Sequence, residues 1–428
     1  MIQISNNLLN NKNKTVKINK EIRDVLLNRL FFSLGILLLI RIGTFLPVPG
    51  INHNDLTFYI QRHSVAKNLI STFSGENTFV IGLFTLNIFP YINATIFVQL
   101  LLGFSPKLAK LQKEGDFEAR RTINKLTRFI TLIWAITQSI GVTVYLRQVP
   151  FNWDYLLAAQ IILWLTTGAM IVLWLSELIT DYGLGNGASL LIYTNIISNL
   201  PNLFKKLIVE NNENSIAFSI IGIGGLIFVS LYGIVFLQQG IRKIPLLSSK
   251  QLTQSSLSGT VNNYLPLRFN QAGVMPIILT TAILVIPNYL VNLGIFQKID
   301  FPEFFKFIYW IGYFALILTF SSFYSSIVLN PKDISDQLQK MAVTIPGVRS
   351  GLQTTFYLKQ VIKRITLIGA TMLGTLTVVP NFIESTLSIT GLNGLSTTSL
   401  LILAGVVLDL IREIDNIYYS NIYNNRYQ

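Results

Sequence analysis

Long apolar runs, separated by short clusters of charge, constrain this chain more than any other feature. FFSLGILLLI (31–40), IILWLTTGAMIVLWL (161–175) and ALILTF (315–320) are examples. About 20 mostly apolar residues cross a bilayer as a helix, which satisfies its own backbone N–H and C=O groups. Ten such segments can be placed, near 25–46, 80–103, 129–147, 155–177, 187–200, 215–237, 273–296, 306–329, 367–384 and 395–412. Alternating strands of ~10 residues, the mark of a membrane barrel, are absent from the pattern. Hydrophobic residues make up 51% of the 428 and charged residues 12%, with a mean hydropathy of +0.52. That leaves too little polar surface for a soluble chain of this length. The expected class is all-α: a polytopic membrane protein with ten transmembrane helices.

The charges set an orientation. With the N-terminus inside, inside loops hold roughly 25 Lys and Arg and outside loops roughly 7. An even number of spans then places the C-terminal tail, 413–428, inside as well. The net charge of +13 is explained by this bias, without nucleic acid as a partner. Residues 1–24 form a polar, basic inside tail with no cleavage site after the first apolar run, so no removable signal peptide is read. In EIRDVLLNRL (21–30), Ile22, Val25, Leu26 and Leu30 share a helical face. This predicts an amphipathic helix lying on the inner surface.

Little in the chain suggests catalysis. There are no cysteines, and the two histidines, His53 and His63, both fall in the loop 51–79. HExxH, GxSxG and Walker-type loops are missing, and GNG (185–187) is too sparse for a nucleotide fingerprint. No enzyme, metal or cofactor is expected. A secondary transporter is the rival reading, because transporters also use broken helices. Ion-coupled transporters keep ionisable groups within their spans. Here Arg41, Glu177, Glu384 and Asp409 lie toward span ends, and the span middles hold Asn, Gln, Ser and Thr. A path that tolerates varied cargo suits that pattern better.

IFPYINATIFVQ (88–99) places Pro90, Asn93 and Gln99 inside an apolar run. Proline lacks an N–H and fits only the first turn of a helix. The helix of this span is therefore predicted to begin near Pro90, after irregular chain. Such chain is tolerated at membrane depth only when buried in protein or lining a water-filled cavity.

RIGTFLPVPGIN (41–52), STFSGENTFVIGLFTLNIFPYINATIFVQLL (71–101), QKEGDFEARR (112–121), DYGLGNGASLLI (181–192), YLPLRFNQAGVMPIILT (264–280) and IPGVRSG (345–351) resemble the SecY family. That family supplies the central subunit of the bacterial and plastid protein-conducting channel. The likeness is collinear from about residue 20 to 415, and NQAGVMPII and TTSLLILAGVVLD (397–409) look most like its cyanobacterial and plastid branch. The resemblance implies two five-helix halves, 25–200 and 201–412, around an hourglass pore that moves unfolded polypeptides and releases hydrophobic segments sideways into lipid. It implies a plug near 66–78 that includes Thr72, Phe73, Ser74 and Gly75, and a pore ring of Ile88, Ile92, Ile192, Ile278 and Ile402. A ring of stiff β-branched side chains makes a dry constriction that blocks ions by dewetting. By family position Asn93, Gln99, Thr280 and Thr281 flank the lateral gate as a weak polar seam. The inside loops 238–272 and 330–366 are implied to dock a ribosome or the SecA motor ATPase, with Arg242, Lys243 and Arg349 as contacts. Ser350 stands where many members have proline. The implied partners are SecE-type and SecG-type small subunits, SecA or the ribosome, precursor polypeptides and membrane lipid. The implied location is the plastid thylakoid membrane with both termini in the stroma, or alternatively a bacterial plasma membrane. The channel reading stands ahead of a small-solute transporter.

Overall fold

The structure, a computed structural model, describes residues 2–49, 51, 81–105, 117–147, 154–210, 216–248, 263–271, 273, 275–277, 279–280, 303–387 and 397–427. In chain order the elements are α1 (Ile2–Phe45), α2 (Phe89–Phe104), α3 (Phe117–Leu146), α4 (Tyr155–Tyr182), α5 (Gly187–Glu210) and α6 (Ile216–Gln239). Strands β1 (Ile241–Pro245), β2 (Leu247–Ser248) and β3 (Tyr264–Arg268) follow, then α7 (Glu303–Val328), α8 (Pro331–Lys340), β4 (Val343–Thr344), α9 (Leu352–Leu387) and α10 (Thr397–Tyr427). These fall into two compact units, residues 1–202 with 406–428, and residues 203–405.

Among the described residues, five stretches are long and apolar enough to cross a membrane: Arg23–Phe45, Arg121–Val144, Tyr155–Tyr182, Tyr309–Lys340 and Leu352–Pro380. Shorter apolar helices run over Phe89–Leu102, Gly187–Ser198 and Phe228–Gln239. Phe31, Phe129, Leu163 and Phe228 lie outward and exposed on these helices. Apolar faces of that extent suit lipid, not water. In the first unit α3 packs along both α2 and α4, and α1 along α4; in the second, α9 packs along α7 and α6.

Buried hydroxyls in these helices bond within their own turn or to the next helix. Thr127 donates to the Ile123 carbonyl and Thr131 to the Thr127 carbonyl, each one turn back. Ser139 and Thr166 meet at 3.1 Å between α3 and α4, and Ser325 and Thr366 at 2.7 Å between α7 and α9. This lets Ser and Thr sit in apolar spans without orphaned polar atoms.

Helices run further than the hydropathy pattern suggests. The segment 21–30 is not a separate surface helix, because α1 continues through it without a break. Its residues favour helix on both sides of Arg23, and no glycine or proline interrupts them. Helix α3 already begins at Phe117, and α9 at Leu352, so residues 352–366 are helical and only 330–351 form the connection before it.

Candidate functional site

Residues 81–88 form a buried irregular stretch ahead of α2. Ile81, Leu86 and Ile88 are almost wholly inaccessible. With no helix or sheet of its own, this backbone finds partners elsewhere. The Val48 N–H donates to the Ile81 carbonyl (3.1 Å) and the Leu83 N–H to the Leu46 carbonyl (2.8 Å). Two turns complete it, with the Thr85 N–H donating to Gly82 (3.1 Å) and the Asn87 N–H to Phe84 (2.9 Å). Close approach requires glycine on both sides. A Cβ on Gly82 would lie 2.0 Å from the Thr44 carbonyl oxygen, and one on Gly168 of α4 would lie 2.0 Å from that of Leu83. Val48, Ile51, Ile81, Leu86, Ile161 and Leu165 form the apolar cluster around the stretch.

Asn87 ends the stretch in the left-handed region, with φ 47°. Asparagine tolerates that conformation better than most side chains. Its Oδ1 accepts from the Ile88 N–H at 2.8 Å, and its Nδ2 donates to the Asn195 Oδ1 of α5 at 3.0 Å. Helix α2 then starts at Phe89 with Pro90 in its first turn. That start matches the expectation drawn from proline's fixed φ and missing N–H.

The candidate ring residues are placed in part. Ile88 is the N-cap residue of α2 and is buried; Ile92, one turn on, is half-buried. Ile192 lies on α5 one turn before Asn195, so the Asn87–Asn195 bond brings the Ile88 and Ile192 backbones into one neighbourhood. Ile402 is half-buried on α10. Ile278 lies outside the described residues, as do Thr281, the plug residues Thr72, Phe73, Ser74 and Gly75, and both histidines.

Of the candidate gate residues, Asn93 and Gln99 are half-buried on α2. Thr280 is fully buried, and its hydroxyl donates to the Pro276 carbonyl at 2.7 Å. Its donor is therefore used within its own helical turn. The ionisable groups near span ends are mostly engaged. Arg128 Nε donates to Glu177 Oε1 at 2.8 Å, tying α3 to α4. Arg41 donates to the Ser198 hydroxyl and lies over the Phe45 ring, 5.4 Å from its centroid.

The described parts of the basic segments 238–272 and 330–366 fold together into one structure within the second unit. Strands β1 and β3 pair antiparallel, with Arg242 opposite Leu267 and Lys243 opposite Pro266; β2 pairs with β4. Ile244, Leu267, Leu338, Ile345, Leu358, Val361, Ile362 and Ile365 make a shared core. It joins residues far apart in sequence, from Ile244 to Ile365. Arg242, Lys243 and Arg349 are all exposed on it. Lys243 Nζ sits 4.8 Å from the centre of the Tyr264 ring, a cation–π contact that holds its stem. Arg349 follows a tight turn, in which Val348 N–H donates to Ile345 (3.2 Å) and Gly347 has φ 78°. Pro346 and Gly347 at the two central positions are what a type II turn demands. The Thr354 hydroxyl then donates to the Arg349 carbonyl (2.8 Å), and Ser335 to that of Gly351 (3.1 Å). These bonds hold the chain on either side of Ser350.

Asn87, Asn195, Gly82 and Gly168 are absent from the site residues expected from sequence. Asn87 carried one local signal, an asparagine directly before the candidate ring residue Ile88. The glycines carried none, since only the facing backbone explains them.

Comparison with known proteins places these features in a lineage. The SecY family model matches residues 82–411. A protein translocase subunit SecY from Trieres chinensis is 61% identical over 414 residues, covering 94% of this chain and 97% of that one. Another, from Guillardia theta, is 41% identical over 422 residues, covering 97% and 99%. Among solved structures, a SecY channel whose plug domain stabilises the closed state superposes with a TM-score of 0.64 at 18% identity, covering 93% of this chain and 94% of that one. Sec61 in the canine ribosome–channel complex of the endoplasmic reticulum superposes at 0.61, with 18% identity and the same coverage.

Proposed function

Because the chain belongs to the SecY family, we propose that it is the pore-forming subunit of a Sec translocase. It is a polytopic helical membrane protein that moves unfolded polypeptides across the membrane and releases hydrophobic segments laterally. Identity of 61% across 94% of the chain with a translocase subunit carries this reading over a small-solute transporter.

In the proposed channel, Ile88, Ile92, Ile192, Ile278 and Ile402 make the constriction, and the segment around Thr72–Gly75 is the plug. The buried anchoring of residues 81–88 supports this, because it supplies a rigid base from which α2 begins next to α5. Asn93, Gln99, Thr280 and Thr281 flank the side opening. The exposed Arg242, Lys243 and Arg349, on a fold with its own core, suit an acidic docking partner. The ribosome is one such partner, as for the related Sec61 channel; SecA is the other. SecE-type and SecG-type subunits complete the complex. The chain supplies a conduit and no reaction of its own, so energy comes from the partner. We place it in the plastid thylakoid membrane with both termini in the stroma, a reading supported by the Lys/Arg bias of the loops for the orientation.

Crosslinking tests the reading directly, since the chain has no cysteine. Cysteine is placed at Ile92 or Ile278, and a precursor bearing its own cysteine is stalled during translocation. Leu163, 66% exposed on the outward side of α4, is the control. A disulfide at the ring positions that depends on the energy-supplying partner, and is absent at Leu163, is expected. Equal or no crosslinking at Ile92 and Ile278 with a confirmed stalled precursor overturns the assignment.

A further inference from the structure

Two large apolar side chains stand exposed on α9 beyond the reach of the bilayer. Leu352 is 79% and Phe356 71% exposed, on the first two turns of the helix. Spaced four apart, they are neighbours on one helical face. The other face of the same part of the helix is buried, because Leu358, Val361, Ile362 and Ile365 belong to the core shared with β1, β3 and α8.

Height separates the pair from lipid. Helix α9 has 36 residues, roughly 54 Å of helix against a hydrocarbon core of about 30 Å. The chain holds no charge between Arg364 and Glu384, so the membrane-crossing part starts after Arg364. Lys359, Lys363 and Arg364 are exposed at that border, where basic side chains gather. With roughly 1.5 Å of rise per residue, Phe356 stands about 10 Å and Leu352 about 17 Å beyond Lys363, in water.

Cations are presented with the pair. The Thr354 hydroxyl donates to the Arg349 carbonyl (2.8 Å) and that of Thr355 to the Gly351 carbonyl (3.2 Å). The turn that carries Arg349 is thus tied to the start of α9. Arg349 and Lys359 flank the pair in sequence, and both are exposed. Aromatic side chains and arginine are enriched at the centres of protein interfaces, and a preformed helix loses little freedom on binding. A nucleic-acid surface is held by cations and stacked rings, and Leu352 offers neither. A second copy of this chain would set these cations against one another.

We propose that Leu352 and Phe356 are an apolar anchor for a protein partner, which receives them in an apolar pocket edged by carboxylates that meet Arg349 and Lys359. This rests on the reading of the fold around β1, β3 and α8 as a docking surface, and adds that the contact at α9 is protein to protein, not protein to RNA. Of the two proposed partners, the motor ATPase fits that chemistry.

The test reconstitutes the full-length chain with its membrane partners in nanodiscs and titrates purified SecA and, separately, non-translating ribosomes at low and high salt. Leu352→Ser combined with Phe356→Ser is expected to lower SecA affinity about tenfold or more at both salt levels. Ribosome affinity and thermal unfolding should not change. Phe356→Leu, which keeps an apolar side chain, should retain most of the SecA affinity. Undiminished SecA binding by the serine pair overturns the proposal. A loss confined to the ribosome overturns it too, by making the facing surface RNA, as do equal losses for both partners. Arg349→Glu separates this from the docking reading. If that variant weakens binding and the serine pair does not, the docking surface stands without an apolar anchor; if neither weakens binding of either partner, the docking reading falls as well.

Discussion

Replacing Asn87 isolates what holds the break before α2. In Asn87→Ala the side chain loses both bonds, to the Ile88 N–H (2.8 Å) and to Asn195 (3.0 Å). Ile88 is 1% exposed, so water cannot replace the lost acceptor, at a cost of about 1–3 kcal/mol. Asn195 is only half-buried and can recruit water, so its share is smaller, about 0.5–1 kcal/mol. Alanine also has to adopt φ 47°, which adds about 1 kcal/mol relative to a residue that tolerates it. The sum is about 2.5–5 kcal/mol for Asn87→Ala. Asn87→Gly loses the same bonds and escapes the backbone strain, so it should be milder by about 1 kcal/mol. Asn195→Ala leaves the buried Asn87 Nδ2 without this acceptor and should cost about 1–3 kcal/mol, less than a change at residue 87 because the Ile88 N–H keeps its acceptor. The assay is thermal unfolding of the purified complex in detergent, with closed-channel ion leak in vesicles alongside it. The expected order is Ala worst, Gly next, Asn195→Ala least, with leak rising in parallel because Ile88 follows directly. If glycine proves as damaging as alanine, the left-handed backbone contributes nothing. If all three match the parent, residue 87 does not anchor this stretch.

Three further outcomes follow from the same geometry. Gly168→Ala drives a Cβ to 2.0 Å from the Leu83 carbonyl oxygen, so α4 or the 81–88 stretch must shift; loss of several kcal/mol should show as reduced accumulation of folded protein in membranes. Gln99→Leu should change the tolerance of weak signal sequences, whereas Thr280→Val should not, because that hydroxyl is already bonded to Pro276; a translocation assay with graded signal sequences separates the two. Arg349→Glu should leave thermal stability unchanged, its side chain being exposed, and should cut partner-driven translocation at least tenfold if it contacts the partner; normal transport by this variant removes it from the docking surface.

Some of this architecture was legible in single stretches. Apolar length and the Lys/Arg bias declare membrane helices, because bilayer thickness and the unmet hydrogen bonds of unfolded backbone act on each segment separately. Pro90 announced the start of α2, since φ restriction is local. Residues 21–30 misled for a related reason. Their amphipathic pattern says which face is apolar, but α1 continues through them because nothing local stops it.

Other features arise only from meeting surfaces. That residues 81–88 are buried depends on the chain at 44–48 and on Gly168, far apart in sequence. The bonds of Asn87 need Asn195, more than a hundred residues on. Two basic segments that read as separate solvated loops share one core through Ile244, Leu267, Leu338 and Leu358. The sequence by itself determined that the chain is a polytopic helical membrane protein, because hydropathy is summed residue by residue. Only the tertiary structure decided which backbone could leave the helix and stay buried, because an unpaired N–H or C=O in an apolar interior needs a partner that only another part of the chain can bring.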